Sequence, residues 1–355
     1  MRIGIPKEIK TLEGRVALIP AAAGQLVSQG HEVSVQQGAG LLSGYRDDDF
    51  QAVGVAVLPD AKTLYAQATL IVKVKEPQPQ EVALLRPEQI IFSYLHLAAE
   101  IPLLKSLLAS GATAVAFETV ETDNGDLPLL APMSDIAGRV AIQVGTHLLH
   151  GPMGGKGLLL GGLPAADRGK VVILGGGVAG GNSATVAANL GANVVVFDRN
   201  REKMQRMRAL GANVTSLYPY PDKIAQEIAS ADLVVGAVLV TGERAPHIVT
   251  EDMVRSMSAG SVIVDISVDQ GGCIATTRPT SYADPTYSWQ DVIHFCVTNM
   301  PGAVPRTASQ ALSASLLPYI LKIVQDDWQG FEPLAKGINV KAGKICHPAL
   351  QNINI

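Results

Sequence analysis

A chain of 355 residues exceeds the usual size of one domain, so its length predicts two. With 47% hydrophobic and 17% charged residues, the composition excludes an intrinsically disordered protein. The net charge of -4 comes without a basic cluster, which argues against a nucleic-acid partner and favours small molecules. No apolar run has the length of a membrane span and no secretory signal precedes the first strand, so we expect a soluble, cytoplasmic protein without a membrane partner.

Cysteine and histidine patterns predict neither a disulfide nor a metal site. Cys273, Cys296 and Cys346 have no Cys-x-x-Cys spacing and are expected to be small buried hydrophobes. His147 and His150 stand three residues apart, but no set of cysteines or carboxylates accompanies them. We therefore expect no metal.

The first third of the chain alternates strand-like runs with helical stretches, which is typical of a parallel α/β sheet. The strands are predicted over 3–5, 33–35, 70–74, 90–92 and 113–117, with helices over 21–29 and 101–109.

A charge-poor helix predicted over 134–149 leads into a glycine-rich break, after which a second sheet begins. Six strands suit a complete dinucleotide-binding sheet. They are predicted over 171–174, 194–197, 213–216, 233–237, 262–265 and 293–297.

From Arg306 the pattern turns helical again, before a glycine-rich polar tail, and we expect this helix to return to the first domain. The predicted fold is α/β, with two domains that are each a mostly parallel doubly wound sheet and a cleft between them. Residues 1–130 plus 306–355 would form a discontinuous substrate domain. Residues 131–305 would form a Rossmann dinucleotide-binding domain.

The segment 175–180 has the pattern G-x-G-x-x-G directly after an apolar strand and at the start of a helical stretch. Gly175 permits the tight turn, Gly177 lets the backbone approach a pyrophosphate, and Gly180 lets the helix pack on the strand. Methyltransferases build a similar loop, but the six strands around it favour a dinucleotide.

Asp198 closes the next strand, at the position where an acidic residue receives the ribose hydroxyls. Because a carboxylate repels a 2′-phosphate, the pattern predicts NAD as the cofactor. The neighbouring cations Arg199, Arg201 and Lys203 can accommodate such a phosphate, so NADP stays an alternative.

Ligands of open parallel sheets bind beyond the carboxyl ends of the strands. In the first sheet these positions hold Lys7, Lys73, Lys75, Tyr94, His96 and Glu118. In the second sheet they hold Leu239, Val240, Ser267, Val268, Asp269, Gln270, Val297, Thr298, Asn299 and Met300.

Dehydrogenation of an amino or hydroxy acid requires a cation for the carboxylate, a donor that polarises the carbonyl or imine, and an acid/base near neutral pH. If the two sheet edges face one cleft, Lys75, His96 and Asp269 can meet at a nicotinamide ring. Lys75 can also be an ordinary strand-end lysine, and Asp269 an ordinary turn residue before glycine. Taken alone, Arg15 is typical of a solvated charge.

Over nearly its whole length the chain resembles the alanine dehydrogenase family, which also contains the NAD-binding subunit of proton-translocating transhydrogenase. The resemblance rests on RIGIPKE at 2–8, EGRVAL at 13–18, KVKEP at 73–77, YLHL at 94–97, the loop at 175–180 and VDISVDQGGC at 264–273. At 218–221, where the family usually has a serine near the adenosine, this chain has YPYP.

The resemblance implies reversible, NAD-dependent oxidative deamination of L-alanine to pyruvate and ammonium. Arg15 and Lys75 would bind the carboxylate and carbonyl oxygens, His96 would act as acid/base, and Asp269 would serve the amino group or an attacking water. Met133 and Asn299 would border the substrate. The family pattern places around the cofactor Ser134, Val178, Ala179, Asp198, Lys203, Leu239, Val240, Arg278 and Asn299.

The resemblance also implies a homohexamer. Two alternatives remain: a non-catalytic NAD-binding module that serves a transhydrogenase, and a dehydrogenase for another amino or 2-hydroxy acid.

Overall fold

The computed structural model describes residues 1–238, 247–351 and 353. They divide into two compact units, a first unit of Met1–Met133 with Val304–Ile355 and a second unit of Ser134–Ala303.

The elements follow in chain order. The chain begins with β1 (Arg2–Ile5), α1 (Pro20–Ser28), β2 (Glu32–Gln36), α2 (Asp47–Gln51), β3 (Ala56–Leu58), α3 (Ala61–Gln67), β4 (Leu70–Val72), α4 (Pro79–Val82), β5 (Ile90–Ser93), α5 (Ile101–Ser110), β6 (Thr113–Ala116) and α6 (Ala131–Leu148). It continues with β7 (Lys170–Leu174), α7 (Val178–Asn189), β8 (Asn193–Phe197), α8 (Arg201–Arg208), β9 (Val214–Leu217), α9 (Pro221–Ala229), β10 (Leu233–Gly236), α10 (Glu251–Arg255), β11 (Val262–Asp265), β12 (Thr286–Trp289) and β13 (Val292–Phe295). It closes with α11 (Pro305–Ile323), α12 (Glu332–Gly337), β14 (Ile338–Lys341) and β15 (Lys344–Ile345).

The sheet of the first unit has the order β15-β14-β6-β5-β4-β1-β2-β3. Strands β1 to β6 are mutually parallel, whereas β14 runs antiparallel to β6 and to β15. The strand order reverses between β1 and β4, so their carboxyl ends flank the crevice where open sheets bind ligands. Every side chain of β4 is buried, because this central strand has both faces covered.

The sheet of the second unit has the order β12-β13-β11-β10-β7-β8-β9, and only β12 is antiparallel to its neighbour. Its six parallel strands are in the order of a dinucleotide-binding sheet, with the reversal between β7 and β10. Helices begin and end where local chemistry satisfies the backbone. Asn200, for example, accepts the Lys203 N–H at 3.0 Å at the start of α8.

The predicted fold class, α/β with two mostly parallel sheets, is confirmed. The prediction of a polar tail after α11 is wrong, since this segment forms α12, β14 and β15. These short elements, and the three-residue strand β3, carry too little hydrophobic periodicity to be recognised. Strand β4 also ends at Val72 rather than at residue 74, because the Val74 N–H donates to the carboxylate of Glu8.

Helix α11 packs within the first unit against the segment that carries Arg15. The hydroxyls of Ser309 and Ser313 accept the backbone N–H groups of Val16 and Ile19 at 2.9 and 3.1 Å. Residues about 290 positions apart in the chain therefore hold this segment in place.

Two of the three cysteines are buried, as predicted, but Cys346 is exposed because it lies just after the edge strand β15. The His147 and His150 rings are 5.8 Å apart, edge to face. Among residues 1–238, 247–351 and 353 no group of three or more metal-ligating side chains comes together, and no helix is long and apolar enough to cross a membrane.

Candidate active site and dinucleotide loop

A buried ion-pair cluster occupies the crevice between β1 and β4. The Lys73 ammonium lies 2.9 Å from Glu8 and 3.4 Å from Glu81, and all three side chains are at most 2% exposed. Burial opposes the charge on Lys73, but the two carboxylates outweigh it and raise its pKa. Glu8 also accepts the Val74 N–H at 2.6 Å, so this cluster fixes the backbone that leads to Lys75. Lys73 is therefore a structural cation.

Arg15 is buried, which contradicts its interpretation as a solvated charge. Its Nε and Nη2 donate to the two carboxylate oxygens of Glu13 at 2.7 and 2.5 Å. Burial works against the guanidinium charge, but the hydrogen bonds and charge of Glu13 prevail and raise the Arg15 pKa. Its Nη1 lies 3.1 Å from the Met133 sulfur, so two predicted substrate residues are in contact.

Lys75 lies in the same electrostatic environment as Arg15. Burial lowers the pKa of its ammonium below the ordinary value. The cations Arg15 and Lys10 also lower this pKa, whereas Glu76 opposes the change. Glu76 in turn forms an ion pair with Lys10. Arg15 and Lys75 are thus neighbouring cations, an arrangement that suits an anionic ligand.

His96 follows β5 and has a left-handed backbone with φ of +49°, uncommon for a residue with a side chain. Glu118 stabilises this turn by accepting the N–H groups of Leu95 and His96 at 3.2 and 2.6 Å. Its carboxylate lies 4.0 Å from His96 Nδ1. Such backbone strain is often found at functional sites.

Tyr94 links His96 to Arg15. Its ring is parallel to the His96 ring at 6.0 Å, and its hydroxyl donates to the Leu129 carbonyl at 2.5 Å. Burial raises the pKa of this phenol, while the Arg15 guanidinium opposes the rise. The structure therefore brings Arg15, Lys75 and His96 into one neighbourhood. Lys7 is exposed and away from these contacts.

Sequence reasoning assigned no role to Glu8 or Glu13. Both belong to the stretches that carry the family resemblance, and each is an acid close to the end of β1. Their function as buried partners depends on contacts that sequence spacing does not reveal, such as the Lys73–Glu8 pair across 65 positions.

In the second unit the glycine loop follows β7 and opens α7. Gly175 has φ of +97°, and a Cβ there would lie 2.6 Å from the Ala237 carbonyl oxygen. A Cβ at Gly180 would lie 1.8 Å from the Gly175 carbonyl oxygen. A Cβ at Gly177 would meet nothing within 4 Å, so open space borders the backbone at the start of α7.

Asp198 is held beside this loop. One carboxylate oxygen accepts the Gly176 N–H and the other the Asn200 N–H, both at 2.7 Å. Open space at Gly177, a helix N-terminus and a fixed carboxylate fit the pyrophosphate and ribose of a dinucleotide. Lys203 lies in the first turn of α8, two residues after Arg201.

Helix α6 brings Ser134 towards the start of α7. A Cβ at Gly138 would lie 2.1 Å from the Ala179 carbonyl oxygen, and the Ser183 hydroxyl donates to the Gly138 carbonyl at 2.8 Å. Ser134 is one turn before Gly138 on the same helix face. Val178 is largely exposed at the first position of α7.

The other predicted cofactor residues follow β11 and β13. Ser267 and Val268 are buried and Asp269 is exposed on the turn after β11. Val297 and Met300 are buried, with Thr298 and Asn299 between them. Leu239 and Val240 lie outside the described residues.

Arg278 and the YPYP stretch present aromatic contacts. The Arg278 guanidinium lies 4.2 Å from the centre of the Tyr287 ring, and the backbone N–H of Arg278 donates to the Tyr287 hydroxyl at 2.9 Å. The exposed rings of Tyr218 and Tyr220 are 4.9 Å apart just after β9.

Together, the strand order, the glycine loop and the acid at the end of β8 define a dinucleotide-binding α/β protein. A family model described as "Alanine dehydrogenase/PNT, N-terminal domain" matches residues 4–137, and "Alanine dehydrogenase/PNT, C-terminal domain" matches residues 141–348. The chain therefore belongs to the alanine dehydrogenase/PNT family.

Individual relatives agree with this assignment. An alanine dehydrogenase of Halomonas elongata is 46% identical over 99% of this chain and 96% of its own. A solved L-alanine dehydrogenase is 48% identical, with a TM-score of 0.95 over 99% of this chain and 98% of its own. A transhydrogenase structure from Sinorhizobium meliloti is 25% identical, with a TM-score of 0.85 over 98% of this chain and 100% of its own.

Proposed function

We propose that the chain is an L-alanine dehydrogenase that catalyses the reversible, NAD-dependent oxidative deamination of L-alanine to pyruvate and ammonium. The observation that carries the proposal is the buried cationic cluster of Arg15 and Lys75 beside His96 in the first unit. A protein that only handles a dinucleotide has no need of it. The higher identity to alanine dehydrogenases than to the transhydrogenase supports the same choice.

Arg15 and Lys75 bind the carboxylate and carbonyl oxygens of the substrate. Glu13 fixes the plane of the guanidinium through two hydrogen bonds, so Arg15 is pre-organised before the substrate arrives. Lys75 is a compact cation whose burial strengthens its interaction with an anion. Met133 offers an apolar thioether next to Arg15, a surface that suits a methyl substituent.

His96 moves the proton. An imidazole can both accept and donate a proton, and this side chain is partly open to solvent, so it can exchange protons during turnover. Glu118 fixes the backbone of His96 by accepting a hydrogen bond from the His96 N–H. Asp269 serves the amino group or the attacking water, and Asn299 also contacts the substrate.

NAD, when bound, supplies the hydride acceptor. Asp198 receives the ribose hydroxyls and disfavours a 2′-phosphate, while Gly177 leaves room for the pyrophosphate and Gly175 and Gly180 permit the close packing of the loop. The further cofactor contacts in this proposal are Ser134, Val178, Ala179, Lys203, Leu239, Val240, Ser267, Val268, Asp269, Arg278, Val297, Thr298, Asn299 and Met300.

The assembly and location follow from the family. We propose a homohexamer in the cytoplasm, with no nucleic-acid or membrane partner. Light scattering on the purified protein tests the assembly, and a monomer would overturn it. Cell fractionation tests the location.

The decisive experiment is an assay of NADH formation with purified protein, NAD or NADP, and a panel of L-amino acids and 2-hydroxy acids. Turnover of L-alanine with NAD is expected. Turnover of another acid alone would favour a different dehydrogenase, and NADH binding without any turnover would favour a transhydrogenase module.

A further inference from the structure

Asp265, the last residue of β11, is fully buried and has four nitrogen or oxygen hydrogen-bond donors around its carboxylate, besides the Cys273 thiol at 4.0 Å from Oδ1. Oδ1 accepts the backbone N–H of Ser267 at 3.1 Å and its hydroxyl at 2.9 Å. Oδ2 accepts the Cys273 N–H at 3.2 Å and the Thr277 hydroxyl at 2.7 Å. All four donors belong to the segment that directly follows the strand.

The carboxylate bridges the two ends of one turn. Between Ser267 and Cys273 the chain makes a short 3-10 turn over Val268–Gln270, followed by Gly271 and Gly272 with φ of +96° and +70°. Each oxygen holds one end of this turn, which is also closed by a backbone hydrogen bond from the Gly272 N–H to the Ser267 carbonyl at 3.0 Å.

Neighbouring glycines leave room for this carboxylate. A Cβ at Gly272 would lie 2.7 Å from Oδ2, and a Cβ at Gly236, on the adjacent strand β10, would lie 2.7 Å from Oδ1. Burial raises the pKa of Asp265 even though its donors oppose the rise. A buried carboxylate is costly, so one enclosed in this way indicates a specific role.

The turn carries three residues of the proposed site, Ser267, Val268 and Asp269. The Ser267 hydroxyl gives its only hydrogen to Asp265, so its oxygen is restricted to accepting hydrogen bonds. Asp269 lies two residues further, exposed, on the part of the turn between the two held ends. A shift of about 1 Å in such a group can cost about 100-fold in rate.

We propose that Asp265 is a positioning residue for the reaction, one that acts by holding the turn with Ser267 and Asp269 and does not itself touch the substrate. The inference rests on the function proposed above for that turn.

The test is Asp265→Asn, which preserves shape but presents an NH₂ group that cannot accept from Cys273 or Thr277. We expect kcat for L-alanine to fall by about 10- to 100-fold. The KM for L-alanine and the dissociation constant of NADH, measured by fluorescence, should change by smaller factors than kcat, because the glycine loop and Arg15 keep their contacts and only the turn with Ser267, Val268 and Asp269 shifts. Thr277→Val removes one donor and should lower kcat in the same direction by a smaller factor.

The matched control is Asp232→Asn. Asp232 lies in the same unit just before β10, at the amino ends of the parallel strands. There it accepts the Lys170 N–H at 2.7 Å and pairs with Lys156 at 2.8 Å. Its replacement should lower thermal stability without changing kcat.

Wild-type kcat in both Asp265→Asn and Thr277→Val would overturn the proposal, as would an equal loss in Asp232→Asn. If Asp265→Asn does not fold, Thr277→Val decides alone. If the wild type turns over another acid instead of L-alanine, the proposed function fails and the same comparison of kcat is made on that acid.

Discussion

The glycine loop of the second unit and the cationic cluster of the first unit are built in opposite ways. The loop is six consecutive residues whose backbone creates open space at Gly177. The cluster consists of charged side chains that depend on distant partners, as in the contact of Arg15 with Met133 across 118 positions. Substitutions in the cluster should therefore affect chemistry and folding, whereas substitutions in the loop should affect cofactor affinity.

The largest effect is expected from replacing His96. His96→Asn removes the acid/base, while asparagine tolerates the left-handed backbone. Turnover of L-alanine should fall by about 10²- to 10⁴-fold, with NADH binding and thermal stability preserved. The matched control is His31→Asn, because His31 lies in the same unit just before β2, at the amino end of that strand. Near-normal turnover in His96→Asn would remove this residue from the acid/base role.

Glu13→Gln tests whether the contacts of the cationic cluster stabilise the fold. It removes the negative charge that pairs with the buried guanidinium of Arg15 at 2.5 Å, and removing one charge of a buried ion pair costs about 3–5 kcal/mol. Urea denaturation should show this loss in the free energy of unfolding. Replacing an exposed carboxylate of the same unit, Glu88→Gln, should have little effect. Equal stability of the two variants would contradict a structural role for Glu13.

Gly177→Ala tests whether the glycine loop affects cofactor affinity and leaves folding unchanged. The Cβ of the new alanine would meet nothing within 4 Å, so the fold should be unchanged. This methyl group would, however, enter the space proposed for the pyrophosphate. The dissociation constant of NADH should rise about tenfold or more, equivalent to ~1.4 kcal/mol. Gly330→Ala, also without neighbours within 4 Å, controls for the substitution itself. Unchanged NADH affinity in Gly177→Ala would separate this loop from the cofactor.

This contrast also explains what could be predicted from sequence. The loop and Asp198 could be located because the motif is local and follows a strand at fixed spacing. Lys75 and His96 could be proposed from their positions at strand ends. The burial of Arg15 could not, because it depends on Glu13, on Met133 and on α11, whose Ser309 holds the neighbouring Val16. Likewise, β14 joins β6 through long-range pairing that no local pattern indicates.

Asp198→Ala tests cofactor choice. Removing the carboxylate beside Gly176 should reduce the preference for NAD over NADP by about tenfold, since Arg199, Arg201 and Lys203 remain to receive a 2′-phosphate. The ratio of the two kcat/KM values measures this, with Asp222→Ala in α9 as control. A ratio equal to that of the wild type would mean that another residue reads the ribose.

The smallest effect concerns pH. Because burial lowers the Lys75 pKa below 10.5, the ammonium should lose its proton, and pyruvate its binding partner, at a lower pH than for an exposed lysine. Pyruvate affinity in the NADH complex should therefore weaken as the pH rises, and the weakening should begin at a lower pH than an exposed lysine would give. In Lys75→Arg, which stays charged, this weakening should be absent. The same alkaline loss in both variants would assign it to another group.

The two sheets share one architecture, since β3-β2-β1-β4-β5-β6 and β9-β8-β7-β10-β11-β13 follow the same spatial order. The turn after β1 is thus the topological counterpart of the glycine loop after β7. There the first unit has a glutamate, Glu8, locked to Lys73 inside the crevice. The Glu8 carboxylate accepts the Val74 N–H and pairs with Lys73, whereas the glycine loop has open space at Gly177. One strand order thus carries two different turns after its first strand, a buried ion pair in the first unit and an open glycine loop in the second.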